Sequence, residues 1–252
     1  MIQGLYAAAT GIMTVEERQA TIANNIANAS TVAYKRRCPV QEGFYALFSD
    51  HLRQPSYFGK AAGPGGGTRL VETFTDIGPG IMRSTGDPLN LALQGPGYLV
   101  VDTPEGERFT RAGLLAINQA GRLTTPEGYA VQSLDGIPID VRGGRITINV
   151  EGLVRVDGVE RGRLRLVEFE NPHMLEREGY SLHSASEAAL RRSAPAATTE
   201  VHQECLEMSN VNLSREMIEM TVGLRAYAAN QKVMNSVDET MSRLIDQVGS
   251  PV

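Results

Sequence analysis

The chain has 252 residues, enough for one or two domains with a real core, and a formal net charge of −5. So mild an acidity, with no basic cluster longer than Tyr34-Lys35-Arg36-Arg37, makes no electrostatic case for nucleic acid. Tryptophan is absent and aromatics are few, while the 26 glycines suit a turn-rich β body. The two cysteines, Cys38 and Cys205, stand alone without further pattern and are expected to be free and buried.

The N-terminus opens a helix. Leu5, Ala8, Ile12, Val15, Gln19, Ile22, Ile26 and Ala29 recur in steps of three and four, a heptad line broken only at Gln19. Glu16, Glu17 and Arg18 fall mostly off that line. The spacing predicts a helix from near Ile2 that fades between Asn28 and Thr31. Asn24, Asn25 and Asn28 there favour helix termination and inter-helix hydrogen bonds over a binding site. This start does not read as a cleavable secretory signal, because its first basic residue is Arg18 and Glu16-Glu17-Arg18 interrupts any apolar core. No apolar run reaches the ~18 residues of a membrane span, so no direct membrane insertion is expected.

From Lys35 to about Gly86 the periodicity is lost. Phe44, Tyr45, Leu47 and Phe48 form a small apolar patch, and Gly63-Pro64-Gly65-Gly66-Gly67 follows. A phosphate-binding loop would end in Gly-Lys-Ser/Thr; Thr68-Arg69-Leu70 stands here instead, so the run reads as a flexible loop. Val71 to Phe74 and Ile81 to Arg83 are short strand candidates around the turn cluster Asp76-Ile77-Gly78-Pro79-Gly80.

Leu89 to about Ser193 is strand and turn. Tyr98-Leu99-Val100-Val101 is a compact β run, Pro104 to Glu107 a turn, and Arg108 to Arg111 the returning strand. Leu115 to Ile117 and Arg122 to Thr124 repeat the pattern. Ile137, Ile139 and Val141 alternate, as do Ile146, Ile148 and Val150, with Arg142-Gly143-Gly144-Arg145 joining them. Asp157-Gly158 is a two-residue hairpin signal, and Leu164, Leu166 and Phe169 belong to a further strand. Turns every 8–12 residues or so argue a sandwich or barrel-like body. Ser184 to Thr199, rich in Ala and Ser, reads as the descent from that body.

The second long helix runs from Met217 to Val248. One line is Met217, Met220, Leu224, Tyr227, Gln231, Met234, Asp238, Met241, Ile245 and Val248; beside it run Ile218, Val222, Ala226, Ala229, Val233, Val237, Thr240 and Leu244. A surface helix normally buries one stripe, so two adjacent stripes call for several neighbours. At ~1.5 Å per residue the helix is roughly 45 Å long. Polar Gln231 and Asp238 at seam positions are expected to fix register. Gly223 costs ~1 kcal/mol of helix stability relative to alanine but admits another helix closely. The fold class expected is therefore α+β: N- and C-terminal helices paired as a coiled-coil stalk, with a mainly antiparallel β body between them. The expected domains are 1–35 with 205–252 (helical), 36–85 (an extended loop and β linker) and 86–204 (the β body).

Signs of catalysis are thin. His51, His173, His183 and His202 stand far apart, none at metal-ligand spacing, and no Gly-x-Ser-x-Gly elbow is present. Glu168 and Glu170 share a strand face but read as a solvated pair. No catalytic residue, metal ligand or cofactor is expected. An enzyme on this scaffold would need a pocket gathering His173, Glu168 and Arg111; a soluble adaptor or chaperone using its helices on one partner would be an ordered monomer.

Specific motifs carry a resemblance. They begin with Gly4-Leu5-Tyr6-Ala7-Ala8-Ala9-Thr10-Gly11-Ile12 and Ile22-Ala23-Asn24-Asn25-Ile26-Ala27-Asn28-Ala29-Ser30-Thr31, followed by Tyr34-Lys35 without the usual preceding glycine. Gly86-Asp87-Pro88-Leu89-Asn90-Leu91-Ala92-Leu93-Gln94-Gly95-Pro96-Gly97-Tyr98, Phe109-Thr110-Arg111-Ala112-Gly113, Gly121-Arg122-Leu123 and Glu170-Asn171-Pro172 follow in order. Glu207, Ser209-Asn210-Val211-Asn212, Glu216-Met217, Met220, Arg225-Ala226-Tyr227, Asn230-Gln231 and Asp238 complete the series. The chain resembles bacterial flagellar basal-body rod proteins, an axial family that includes proximal rod, distal rod and hook subunits, and it is most similar to the rod group. The resemblance implies a homo-oligomer that assembles with other rod and hook proteins into an axial tube with the β bodies outside, distal rod being favoured over proximal. It also implies export by the flagellar type III apparatus without signal cleavage, and residence in the periplasm-spanning rod. The assembly residues expected are Leu5, Ile12, Ile22, Ile26, Met217, Met220, Leu224, Tyr227, Val233, Met234, Val237, Met241, Leu244 and Ile245.

Overall fold

The computed structural model describes residues 2–43, 68–179, 181–196 and 198–249. The apolar patch at 44–48, the glycine run at 63–67 and His51 lie outside them. The architecture is α+β, with a long helix near each end of the chain and antiparallel strands between. Two compact units divide it: Met1–Ala27, Arg37–Asp76 and Asn212–Val252 form the first, and Asn28–Arg36 with Ile77–Val211 the second. The helical domain expected at 1–35 and 205–252 is therefore trimmed at both inner ends. The linker expected at 36–85 supplies strands to the helical unit.

In the first unit, α1 (Ile2–Ala27) packs against a hairpin of β1 (Arg37–Gly43) and β2 (Thr68–Thr75), and against α2 (Leu213–Gly249). The Thr14 hydroxyl donates back to the Thr10 carbonyl (2.7 Å) and also meets the Thr68 carbonyl (3.0 Å), which holds α1 on β2. Asn212 caps α2: its side-chain oxygen accepts from Arg215 N (3.1 Å), and its carbonyl accepts from Glu216 N (3.0 Å). Glu216 in the first turn also suits the helix dipole.

The second unit is the β body. Its short strands are β3 (Met82–Ser84), β4 (Leu91–Gln94), β5 (Tyr98–Thr103), β6 (Gly106–Thr110), β7 (Ala116–Ile117), β8 (Leu123–Thr124), β9 (Ala130–Val131), β10 (Ile146–Ile148), β11 (Leu153–Val156) and β12 (Val159–Arg163). Then come β13 (Leu166–Phe169), β14 (Leu175–Glu178), β15 (Leu182–Ala185), β16 (Ser193–Pro195), β17 (Glu200–Gln203) and β18 (Cys205–Glu207). The main sheet runs β14-β15-β6-β5-β9-β8-β7, with β13 joining β5 to β16. β10-β11-β12 form a second sheet, and β4 pairs with β17 as β3 does with β18. Leu99 and Val101 face the larger core, with Leu91, Val131, Ile139 and Val154, while Tyr98 and Val100 face a smaller one with Phe109 and Phe169. Burial on both faces explains why Tyr98 to Val101 of β5 are apolar in succession rather than alternating.

The hairpins expected at β5–β6, β7–β8 and β11–β12 are present, the last with Asp157 and Gly158 both at positive φ (50° and 81°). The pairing of 137–141 with 146–150 is not. Ile146–Ile148 pairs with β11, because the Asn149 side chain accepts from Glu151 N and Leu153 N and turns the chain back at once. Ile139 and Val141 are core residues without a strand, while Ile137 is 64% exposed. Ser184 to Thr199 is likewise part of the body: it supplies the end of β15, a helical turn at Glu187–Leu190, and β16. Cys38 in β1 and Cys205 in β18 are half-buried rather than buried.

Candidate assembly interface

The two long helices lie antiparallel. Asn25 donates to Glu216 Oε2 (3.1 Å), Gln19 donates to the Met220 carbonyl (3.3 Å), and Gly11 sits under Asn230. Arg18 adds a 3.5 Å ion pair with Glu219 at the rim. On α2 the side facing α1 carries Glu216, Met220, Gly223, Tyr227, Asn230, Met234, Val237 and Met241, in strict steps of four and three. The line read from hydrophobicity shares Met220, Tyr227, Met234 and Met241 with this seam and misses the rest. Glu216 and Gly223 are polar or small, so an apolar pattern selects their neighbours Met217 and Leu224 instead, and spacing alone then carries the line to Gln231. Those three residues, with Asp238, are exposed, so neither Gln231 nor Asp238 sets the register of α1 against α2. On α1, Ile22 is buried, and Leu5, Ile12 and Ile26 are half-buried.

What remains uncovered on α2 is large and apolar. Met217 and Leu224 (each 55% exposed) lie on one flank of the seam, Val222 (54%) and Val233 (48%) on the other, and Ile218 (65%) at the back; Leu244, the next step of the seam after Met241, and Ile245 (69%) are exposed near the end. α1 adds Tyr6 (57%) and Met13 (62%), one heptad apart. So much contiguous apolar surface is unusual on helices whose seam is already filled. A half-exposed side chain there forfeits roughly half of the ~1.5–3 kcal/mol that full burial gives.

Residues of several motifs outside the helices, Lys35, Gly95, Gly97, Arg111, Glu207 and Asn210, converge on one buried cluster inside the body. The Lys35 ammonium donates to Glu207 Oε1 (2.6 Å) and to the Gly78 carbonyl (2.9 Å). Arg111 Nε donates to Glu207 Oε2 (3.1 Å), while its two terminal nitrogens donate to the carbonyls of Gly95, Gly97 and Leu93. The Gly80 amide gives Glu207 a further bond (2.9 Å). Lys35 is 5%, Arg111 5% and Glu207 2% exposed, so three charges are buried together and satisfied together. The loop that Arg111 binds needs glycine: a Cβ at Gly97 would lie 2.6 Å from Thr199 Oγ1, and Gly95 has φ 131°. Asn210 completes the clamp. It accepts from Arg36 N (2.7 Å), donates to the Gly78 carbonyl (3.0 Å), and bonds the Tyr34 carbonyl through its backbone. Tyr34 is buried beneath Arg177, whose guanidinium carbon stands 4.3 Å from the ring centroid. Sequence reading passed over this cluster because its members are 172 and 96 positions apart.

Burial pushes the Glu207 carboxyl up, but the Arg111 and Lys35 charges, the Gly80 amide and the Lys35 hydrogen bond outweigh it and hold it below the ordinary range. His183, on β15, is lowered to about 4 by burial first and then by the Arg177, Lys35 and Arg111 charges. Its Nδ1 is buried without a hydrogen-bond partner, and its ring meets Tyr98 edge-on at 5.7 Å.

The residues an enzyme would need do not converge. His173 is exposed on a single 3-10 turn at Pro172–Met174, Glu168 meets Thr198 at 3.4 Å, and Arg111 is committed to the buried cluster. An open groove of about 450 Å³ in the body is lined by Leu134, Val150, Leu166 and Pro195 with Arg163 and Glu200, and holds none of the three. Among the described residues no three His, Cys, Asp or Glu side chains gather to hold a metal. No described helix is long and apolar enough to cross a membrane.

Comparison with known proteins gives matches along most of the chain. Residues 5–35 match the family described as "Flagella basal body rod protein", 92–156 the "Flagellar hook protein FlgE/F/G D1 domain", and 202–247 the "Flagellar basal body rod FlgEFG protein C-terminal" family. The flagellar basal-body rod protein FlgG of Bacillus subtilis is 30% identical over 98% of this chain and 99% of its own length. FlgG of Caulobacter vibrioides is 33% identical over 95% and 97%, and FlgF of Rhizobium meliloti 29% over 99% of both. Similarity of that extent, with the motifs occupied by side chains that close the two-helix seam and the Lys35–Glu207–Arg111 cluster, shows that the chain belongs to the flagellar basal-body rod proteins of the FlgG/FlgF type, structural subunits of the rod.

Proposed function

We propose that the chain polymerises through the exposed flanks of α2, joined by Tyr6 and Met13 of α1, while the opposite side of α2 keeps α1 of the same chain as a coiled-coil pair. The observation that carries this reading is the set of apolar side chains, Met217, Leu224, Val222 and Val233 on the two flanks with Ile218 behind them, left open on a helix that is already paired. Copies of the chain cover that set, and other rod and hook subunits meet it at the ends of the polymer, so the ends of the chain act as the assembly domain and torque passes along the axis toward the hook. Catalysis has no part in this function.

Single cysteines at Val233 and Leu224, in a chain lacking Cys38 and Cys205, test the reading. Ladders of crosslinked multimers are expected from both positions, and crosslinking confined to single chains would remove it. An ordered monomer at high dilution would favour the adaptor alternative. A distal place in the rod is preferred over a proximal one on the resemblance of the motifs alone; the position of the labelled protein along purified basal bodies decides it. Export by the flagellar type III apparatus without signal cleavage predicts that the assembled protein retains the α1 segment Ile2–Ala27.

A further inference from the structure

We infer that Gln19 and Asn230 determine the register of the helix pair, each by laying its amide across a glycine of the opposite helix. A Cβ built at Gly223 would fall 2.8 Å from Gln19 Nε2 and 3.4 Å from its Cγ; one built at Gly11 would fall 2.9 Å from Asn230 Nδ2. The seats are reciprocal: α1 supplies one amide and one glycine, and so does α2. Neither glycine has a positive φ, so helical backbone alone does not require them, and alanine would favour the helix at both positions. What requires them is the amide lying over each. With Gly223 bare, Gln19 Nε2 reaches the Met220 carbonyl at 3.3 Å.

The apolar rungs cannot do this work. Ala8, Ile12, Val15 and Ile22 face a seam of Met220, Tyr227, Met234 and Met241, and methionines repack readily around a shifted neighbour. A slip of one heptad, roughly 10 Å, would restore apolar contact along most of the length. It would not restore the polar contacts. Gln19 would meet the level of Glu216 or Asn230, where there is no glycine, and Asn25 would leave Glu216, which is 0% exposed. The register therefore lives in the residues that a hydrophobic pattern ignores. This inference concerns pairing within one chain and stands apart from the polymeric reading.

The test uses full-length chain lacking Cys38 and Cys205, spin-labelled at Glu17→Cys and Arg225→Cys, both exposed and at the same level of the pair. Labelled chain is diluted into excess unlabelled chain so that only distances within a chain are read. The parent is expected to give one narrow distance. Gln19→Ala with Asn230→Ala, which leaves helix propensity as high or higher, is expected to add a second population a few ångströms longer, because an axial slip of about 10 Å adds in quadrature to the lateral spacing of two labels at one level. A single unchanged distance in that variant would overturn the inference. Should the variant lose pairing altogether, exchanging one seat (Gln19→Gly with Gly223→Gln) decides: a return of the parent distance supports the inference, and its absence overturns it.

Discussion

Lys35 and Glu207 stand 2.6 Å apart in the dry interior of the body although 172 positions separate them. Lys35 follows α1 by eight residues and Glu207 precedes α2 by six, so the chain leaving one long helix is bonded to the chain entering the other. Arg111 holds the same carboxylate from the opposite side. Glu207→Ala strips two buried cations of their shared partner and is expected to cost about 3–5 kcal/mol, the scale for breaking a buried pair from one side. Thermal or urea unfolding of the body measures it, and a loss under ~1 kcal/mol would show that the cluster is not closed in solution.

Acid should weaken the body in two stages. His183 takes up its proton near 6.5 when unfolded but only near 4 when folded, so the unfolded chain binds more protons between those values. The stability at stake is full above about pH 6.5 and falls toward pH 4, by on the order of 3 kcal/mol. Glu207 acts below that window: its depressed carboxyl contributes above the unfolded value of 4.5 and loses the contribution as pH drops through its lower folded value. His183→Phe keeps an aromatic ring beside Tyr98 and should flatten the first stage while leaving the second. An identical pH profile for both proteins would exclude His183 as its source.

Leu224 is 55% exposed, so Leu224→Asp should change the stability of the single chain by no more than about 0.5 kcal/mol. If copies cover the position, the same change buries a charge at each contact, at several kcal/mol per subunit. The expectation is a normally folded chain that fails to assemble and cells that do not swim. Normal motility would place Leu224 outside every required interface.

Met234 and Val233 are adjacent in sequence yet lie on different sides of α2, about 100° apart. Met234 is half-buried on the α1 side and Val233 is 48% exposed. Met234→Lys should disturb pairing with α1, read as lost helicity or a changed distance between the helices. Val233→Lys should spare that pairing, and both should stop polymerisation. Equal damage to the helix pair from the two changes would contradict the assignment of faces.

Limited proteolysis of dilute chain should remove the helical ends, whose apolar flanks one subunit cannot cover, and leave the body. The resistant body should keep Asn28–Arg36 and Ile77–Val211, beyond the β strands proper, because Lys35 and Asn210 are bonded into it. Ends as resistant as the middle would show that the helices are stable without neighbours.

Periodicity alone determined that two long helices bracket a β body, because steps of 3.6 and 2 residues are written into local burial. Asp157-Gly158 likewise declared its hairpin, since few other residues take positive φ twice in succession. The motifs also carried the family. The side of α2 that meets α1 was not legible. A scan for apolar residues favours Met217 and Leu224 over Glu216 and Gly223, and only packing shows that Asn25 satisfies the glutamate and Gln19 covers the glycine. The partner of Ile146–Ile148 was hidden for a related reason: hydrogen bonds from Glu151 N and Leu153 N to the Asn149 side chain, not hydrophobic alternation, chose where the chain turned. The Lys35–Glu207–Arg111 cluster lay furthest out of reach. A buried charge is tolerable only beside its counter-charge, and nothing local in a sequence tells a lysine which distant glutamate will stand 2.6 Å away.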